Sequence, residues 1–335
     1  MSAAERTAGA AGEPGPTRPA CWVLSDGAAG NEKQGQALAA ALGLTAQCLR
    51  LDWHWPWPWL APRWTPPLSA YHGASLGPPW PDLAIGVGRL GAAALRTLRR
   101  ASQGRTITVQ ILDPRIDPKH FDLVIVPEHD ALSGSQVISI RGSVHGIDAA
   151  WLARMRAAHP LPSAWQAAPR TVLLVGGPHR SLPLQPEDLA QLVASVRRWQ
   201  AQGGSLIVIG SRRTPASWRQ QLAPLREIAA TLWFTPEDGD NPYAAALAWA
   251  DRLIVTPDSV NMLSEAAATG LPLYAPLPRP ARGRFGRFHQ SLIEAGRLHR
   301  LDAPDAVSAL PPHNPLQAAL PRIRALLIER GLRLD

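Results

Sequence analysis

Residues 253–276 read LIVTPDSVNMLSEAAATGLPLYAP, and few local structures satisfy that order of residue types. The apolar run 253–255 fits a buried strand, 256–259 a polar turn, 261–269 a helix and 273–275 a second buried strand. Asp258, Ser259 or Asn261 can cap the helix, Gly270 suits its C′ position, and Pro272 ensures that it stops. Such a unit presents free backbone N–H groups and hydroxyls at a helix N-terminus, where phosphate binds well. Glu265, about one turn in, offers two acceptor oxygens suited to the two hydroxyls of a ribose. A phosphate site beside a diol site points to a nucleotide.

The same alternation of short apolar run, turn and helix extends along the chain and implies two doubly wound α/β domains facing a cleft. The run 20–25 leads into Asp26-Gly27-Ala28-Ala29-Gly30-Asn31 and a helix over 32–42. This Gly-rich first turn is where an open α/β sheet places ligands, with Gly27, Gly30 and Asn31 as contacts. It is not GxGxxG, so a dinucleotide is not implied. Asp26 is a candidate base, or the residue that fixes the turn. A strand over 82–87 leads to a helix reaching about residue 100, with Arg89 in its first turn as a second anion contact. Strands over 106–112 and 121–126 end at Asp113-Pro114-Arg115 and at Pro127-Glu128-His129-Asp130, and a short strand over 137–140 precedes His145, a weaker candidate. Glycosyl transfer would need a base for an acceptor hydroxyl; Glu128, His129 and Asp130 all qualify, and the sequence does not choose between them.

Residues 157–169 are rich in Pro and Ala and read as a linker between a domain over 19–156 and one over 170–335. The pattern then restarts. A strand over 171–175 ends at Gly176-Gly177-Pro178-His179-Arg180, and one over 206–209 ends at Gly210-Ser211-Arg212-Arg213-Thr214. Gly176 and Gly177 can bring amides to a phosphate, while Ser211, Arg212, Arg213 and Thr214 supply hydroxyls and guanidinium forks. A strand over 231–234 is followed by Asn241 and Tyr243, which line a donor site unless Asn241 only caps the next helix. Residues 279–287, RPARGRFGR, read as a mobile basic loop near the diphosphate or against a membrane, and 321–332 as a terminal helix.

Composition sets bounds on these readings. A chain of 335 residues can bury two cores, and no window approaches a transmembrane helix. Residues 1–18 read as a disordered tail, and two Cys give no disulfide framework, so a reducing cytoplasm is the simplest compartment. The net charge of +8 comes almost wholly from Arg, since Lys occurs only at 33 and 119. A basic chain favours anionic partners: nucleotide sugars, anionic lipid surfaces or nucleic acid, the last disfavoured by the lack of an aromatic platform. Six of the thirteen Trp fall between 53 and 80 in a Pro-rich stretch, WHWPWPWLAPRW at its start. Packing over the first domain is the favoured reading of those rings, and a membrane interface with Arg63 the alternative. No metal is expected, because the His and Cys residues show no ligand spacing and no DxD occurs.

The segments SDGAAGNEKQ (25–34), DPR (113–115), PEHD (127–130), GGPHR (176–180), GSRRTP (210–215) and TPDSVNMLSEA (256–266) carry a family resemblance. The last resembles the donor segment of GT-B glycosyltransferases. Together they resemble the bacterial relatives of the plant mitochondrial fission family ELM1, regarded as glycosyltransferases. The resemblance implies two Rossmann-like domains, acceptor side first and donor side second, with the terminal helix packing back on the first. It implies a metal-independent transferase, without further cofactor, acting from a nucleotide-diphosphate sugar onto a cell-envelope or lipid-linked acceptor, peripheral to the inner membrane. A nucleotide-sugar 2-epimerase on the same fold and a non-enzymatic adaptor like the plant relative are the alternatives.

Overall fold

The computed structural model describes residues 19–302 and 307–334; the tail expected over 1–18 lies outside the described residues. The first lobe is built on a seven-stranded sheet: β1 Cys21–Ser25, β2 Ala46–Trp53, β3 Tyr71–Gly73, β4 Leu83–Val87, β5 Ile107–Ile111, β6 Leu123–Pro127 and β7 Val137–Ile140. The strand order is 3-2-1-4-5-6-7, parallel except for the edge strand β3. The second lobe holds six parallel strands in the order 10-9-8-11-12-13: β8 Arg170–Leu174, β9 Ser205–Ile209, β10 Thr231–Trp233, β11 Arg252–Val255, β12 Leu273–Ala275 and β13 His299–Arg300. Ten helices connect them among the described residues. Those of the first lobe are α1 Ala29–Ala41, α2 Trp57–Leu60 and α3 Gly88–Ala101; then follow α4 Ala149–Ala158, α5 Pro186–Gln200, α6 Ala216–Leu222, α7 Tyr243–Trp249, α8 Val260–Ala268, α9 Gly283–Glu294 and α10 Pro315–Glu329.

Central strands such as LAIGV and SLIVI are buried at every position, as parallel strands covered on both faces must be. Alternate residues feed different cores. In the first lobe Val23, Ile85 and Val109 face α1 and α10, while Leu24, Ala84 and Val124 face α3. In the second, Val172, Ile207 and Leu253 face α7 and α8, while Leu173, Val208 and Ile254 face α5 and α6. Strand order reverses at β1/β4 and at β8/β11, so the crevices at the strands' carboxyl ends open between the lobes. No helix among the described residues is long and apolar enough to cross a membrane.

The passage between lobes differs from the expectation of a linker over 157–169. Ile147 already belongs to the second lobe's core, and α4 packs on α7, where Arg156 Nε donates to Ala248 O at 2.7 Å. Trp165, expected in the linker, is buried and donates from Nε1 to Thr231 Oγ1 at 2.8 Å. The crossing therefore lies over 141–148, and a single indole anchors the Pro/Ala-rich stretch. The chain returns near 310–314, where buried Asn314 donates from Nδ2 to His145 O at 3.1 Å and accepts from Leu316 N at 2.9 Å, capping α10. That cap starts the terminal helix at Pro315 and leaves Pro321, expected to open it, inside. Leu316, Ile323 and Leu327 of α10 complete the core of the first lobe.

Candidate functional site

The first turn of α1 and the N-terminal half of α8 meet across the cleft. Ser259 caps α8, its Oγ accepting from Met262 N at 3.4 Å, so the amides ahead of it remain free of intrahelical partners. A Cβ placed on Gly30 would lie 2.7 Å from Asn261 Nδ2, so the lobes approach closely here and a larger residue would have to displace the Asn261 amide. Three residues further on, Lys33 brings its Nζ to 5.6 Å from the Tyr243 ring centroid, a cation–π distance. Tyr243 in turn donates its hydroxyl to Glu265 Oε2. Glu265 keeps a solvent-facing edge but is hemmed in by protein. Burial therefore raises its carboxyl above the ordinary range, against the downward pull of the Tyr243 hydrogen bond and the Lys33 charge. Burial likewise pushes the Tyr243 phenol well above its usual value, and the adjacent carboxylate adds to the rise.

The two Gly-rich turns of the second lobe serve a different role from the expected phosphate cradle. Gly176 N donates to Thr256 Oγ1 at 2.8 Å and Gly177 N to Asp258 Oδ2 at 2.9 Å, so neither amide is left for a ligand. Asp258 is buried, its Oδ2 also accepts from Arg213 Nη2 at 2.8 Å, and its Oδ1 has no partner among the described residues. A carboxylate so placed braces the loop and would repel phosphate. A Cβ on Gly176 would sit 2.1 Å from Asp258 Oδ2, which explains the glycine. Thr214 is equally committed, donating to Gly176 O at 2.6 Å and accepting from Ser211 N at 2.8 Å, and the Ser211 hydroxyl accepts from Arg213 N at 3.2 Å. What remains pointed outward is Arg212, close enough to the first lobe for its charge to lower the Glu32 carboxyl. The larger influence on Glu32 is its hydrogen bond with Arg50, whose Nε lies at 2.6 Å. Asn241 is exposed and accepts from Tyr243 N at 3.0 Å, one residue ahead of the Pro242 cap of α7, so it neither caps that helix nor is shown lining the cleft.

The four candidate bases separate by exposure. Asp26 is exposed, and its Oδ1 accepts from Ala28 N at 3.0 Å and Asn31 Nδ2 at 3.1 Å, fixing the turn while leaving Oδ2 outward. Glu128 is exposed beside Arg141, whose Nε is 3.7 Å away. His129 and Asp130 are instead engaged with α9. The buried His129 ring packs on Phe288 at 5.2 Å, its carbonyl accepts from Arg287 Nε and Nη2 at 3.1 and 2.6 Å, and burial lowers its pKa. Asp130 pairs with Arg284 at 2.9 Å. The segment expected as a mobile basic loop is thus half helix, and two of its four arginines, Arg284 and Arg287, clasp the first lobe. Asp26 follows β1 and Glu128 follows β6, three strand spacings or about 14 Å apart, so they do not share one reaction centre.

A pocket of about 500 Å3 opens beside this region, lined by Arg180, Leu182, Pro257, Arg279 and Arg282 among others. Arg180 and Arg282 carry no ion pair among the described residues, while Arg279 pairs with Asp188. His179 stands at its edge, its ring 4.5 Å from that of Phe285 and its pKa lowered by burial and by Arg213. Sequence reasoning missed Lys33 as a cleft residue and missed this pocket. The rarity of lysine in so arginine-rich a chain was the available signal for the former; the pocket joins segments a hundred residues apart and left none. No group of three or more His, Cys, Asp or Glu residues with metal-binding geometry occurs among the described residues.

Comparison with known proteins places these features in context. The family model described as mitochondrial fission ELM1 matches residues 29–327. The mitochondrial fission protein ELM1 of Arabidopsis thaliana is 28% identical over 281 residues, covering 75% of this chain and 65% of that protein, so the chain spans just under two thirds of the plant relative's length. Among solved structures, a UDP-N-acetylglucosamine 2-epimerase superposes with a TM-score of 0.56 at 14% identity, over 95% of this chain and 97% of the other. The Methanocaldococcus jannaschii UDP-GlcNAc 2-epimerase in complex with UDP-GlcNAc and UDP gives 0.52 at 11%, over 92% and 99%. The fold is GT-B.

Proposed function

The chain belongs to the mitochondrial fission ELM1 family, and on that membership and its GT-B fold we propose that it binds a nucleotide-diphosphate sugar between its lobes and transfers the sugar to an acceptor. The observation that carries this reading is Glu265: a carboxylate on the cleft wall, one oxygen held by Tyr243 and the other without a protein partner among the described residues, one turn from a helix N-terminus. In this reading the ribose diol donates to Glu265, and the diphosphate lies against the first amides of α8 and Arg212, with Arg180 and Arg282 on its outer side. The acceptor hydroxyl loses its proton to a base as its oxygen bonds to the anomeric carbon; the sugar–phosphate bond breaks and its electron pair leaves with the nucleoside diphosphate. Asp26 suits the base better than Glu128, because its turn leads into Gly30, which lies against Asn261 of α8. The reading needs no metal, since arginines and helix amides carry the charge of the leaving group.

Calorimetric titration with UDP and GDP tests it. Removing a carboxylate that accepts from a ligand hydroxyl costs about 1.5–3 kcal/mol, so Glu265→Ala is expected to weaken the bound nucleotide about tenfold or more. Unchanged affinity would remove the basis of the proposal. The fold likeness to epimerases makes one other product worth measuring: free nucleoside diphosphate released in step with a glycosylated acceptor marks transfer, and an isomeric nucleotide sugar marks epimerisation.

A further inference from the structure

The tryptophan- and proline-rich segment takes no part in the cleft chemistry above. It lies along α3, held by Arg89 Nε on Ala61 O at 3.2 Å, by Thr97 Oγ1 on Pro66 O at 2.6 Å and by Arg96 on Pro62 O. Its tryptophans divide into two sets. Trp53, Trp57 and Trp80 pack against the first lobe's core, whereas Trp55, Trp59 and Trp64 are 81%, 84% and 67% exposed. The expectation that the rings pack over the lobe therefore holds for only half of them. Prolines at 56, 58 and 62 restrain the backbone so that the exposed rings cannot readily fold back. Three indoles in water within ten residues are a patch that a soluble surface does not ordinarily tolerate.

The surroundings of that patch are strongly basic, although Arg99 pairs with Asp122 at 2.8 Å and Arg115 with Asp113 at 3.3 Å. Two open hollows of about 470 and 450 Å3 flank it; Arg63, Arg89 and Arg115 line one, Arg96, Arg99, Arg100 and Lys119 the other, and neither includes an acidic side chain. Arg63, Arg100 and Lys119 have no ion-pair partner among the described residues. Self-association through this face would set these cations against their own copies, at a repulsive cost.

We propose that the face formed by Trp55, Trp59 and Trp64 with the cations around them docks on a bilayer carrying anionic headgroups. Indoles settle at headgroup depth, where the ring is apolar and its N–H is wet, and the arginines and lysine meet the phosphates. Each cation near such a surface multiplies partitioning by about fivefold, so the aromatic anchors and the charge act together as two weak signals. Arg89 opens α3 at the carboxyl end of β4 and Arg115 follows β5, so the docking face adjoins the rim of the cleft. If the transferase reading holds, an acceptor borne by a lipid then reaches the cleft without leaving the bilayer; the docking itself does not rest on that reading.

Co-sedimentation with vesicles, combined with tryptophan emission, tests the proposal on the full chain. Vesicles of phosphatidylcholine mixed with phosphatidylglycerol are expected to capture the protein and shift its emission to the blue, and vesicles of phosphatidylcholine alone to capture far less. The triple variant Trp55→Ala, Trp59→Ala, Trp64→Ala is expected to lose about tenfold or more of that binding, and Arg63→Glu with Lys119→Glu to lose a similar amount in low salt. The unliganded melting temperatures of the same variants should match the parent's; this shows that they fold without reference to nucleotide, and keeps the fate of this proposal separate from that of the nucleotide site. Failure of the wild-type chain to bind anionic vesicles, or equal binding by the triple variant, would overturn the proposal. So would a wild-type dimer in analytical ultracentrifugation that the triple variant converts to a monomer.

Discussion

Glu265 illustrates how one residue can be tuned for a ligand at the expense of the fold. Its carboxyl is raised chiefly by burial, so the folded chain holds the proton more tightly than the unfolded chain does. Above the ordinary carboxylate range the folded state therefore carries a penalty, and stability contributed by the protonated form is lost as pH rises through the raised value. Glu265→Gln keeps an acceptor for the Tyr243 hydroxyl and removes the charge. At neutral pH it is expected to melt at the same temperature as the parent or higher, while binding nucleotide about tenfold more weakly. Calorimetric melting and titration on one preparation check both halves; a marked fall in melting temperature would assign the carboxylate a purely structural role.

At the scale of elements, α9 does what the sequence hid. The strands were legible because a parallel strand covered on both faces must be continuously apolar, and runs such as LIV at 253–255 and LVIV at 123–126 are short, β-branched and bounded by turn residues. The segment RPARGRFGR has the composition of a loop, and its helix is supported by partners far away in the chain: Asp130 for Arg284 and the His129 carbonyl for Arg287. For the same reason His129 and Asp130 looked like free acid–base groups, and Gly176, Gly177 and Asp258 like a ligand cradle, since sequence shows residue types and not which of them bond one another. Arg287→Ala removes a forked, charge-assisted donor and is expected to cost about 1–2 kcal/mol in urea unfolding. The more specific readout is faster amide exchange over residues 127–131 under native conditions, because the clasp joins lobes; exchange unchanged there would mean the contact does not restrain them.

Across the whole molecule, the two lobes are joined where both crossings run side by side, and His145 is buried at that point. Burial pushes its pKa down from 6.5 to about 4, with His313 adding to the fall. The imidazole is thus neutral in the folded chain, while the unfolded chain binds a proton below about 6.5. Stability is therefore full above that pH and declines as pH falls towards about 4, by a few kcal/mol at most. His145→Gln is expected to flatten that decline, seen as melting temperatures that converge with the parent's only in acid. A parallel decline in both proteins would place the acid sensitivity elsewhere.

The position of α10 has a consequence for how the polypeptide is made. The lobe that leaves the ribosome first contributes every strand of its sheet early, yet the apolar face of β6 and β7, with Leu123, Ile125, Ile138 and Ile140, and the adjoining flank of α1 are covered by Leu316, Ile323 and Leu327 of α10, beyond Asn314. The later lobe is thus complete before the earlier one, and nascent chains carry an uncovered greasy face throughout most of translation. Chaperone demand and proteolytic sensitivity in the cell should therefore track synthesis of the α10 segment, even though the finished molecule shows no trace of that interval.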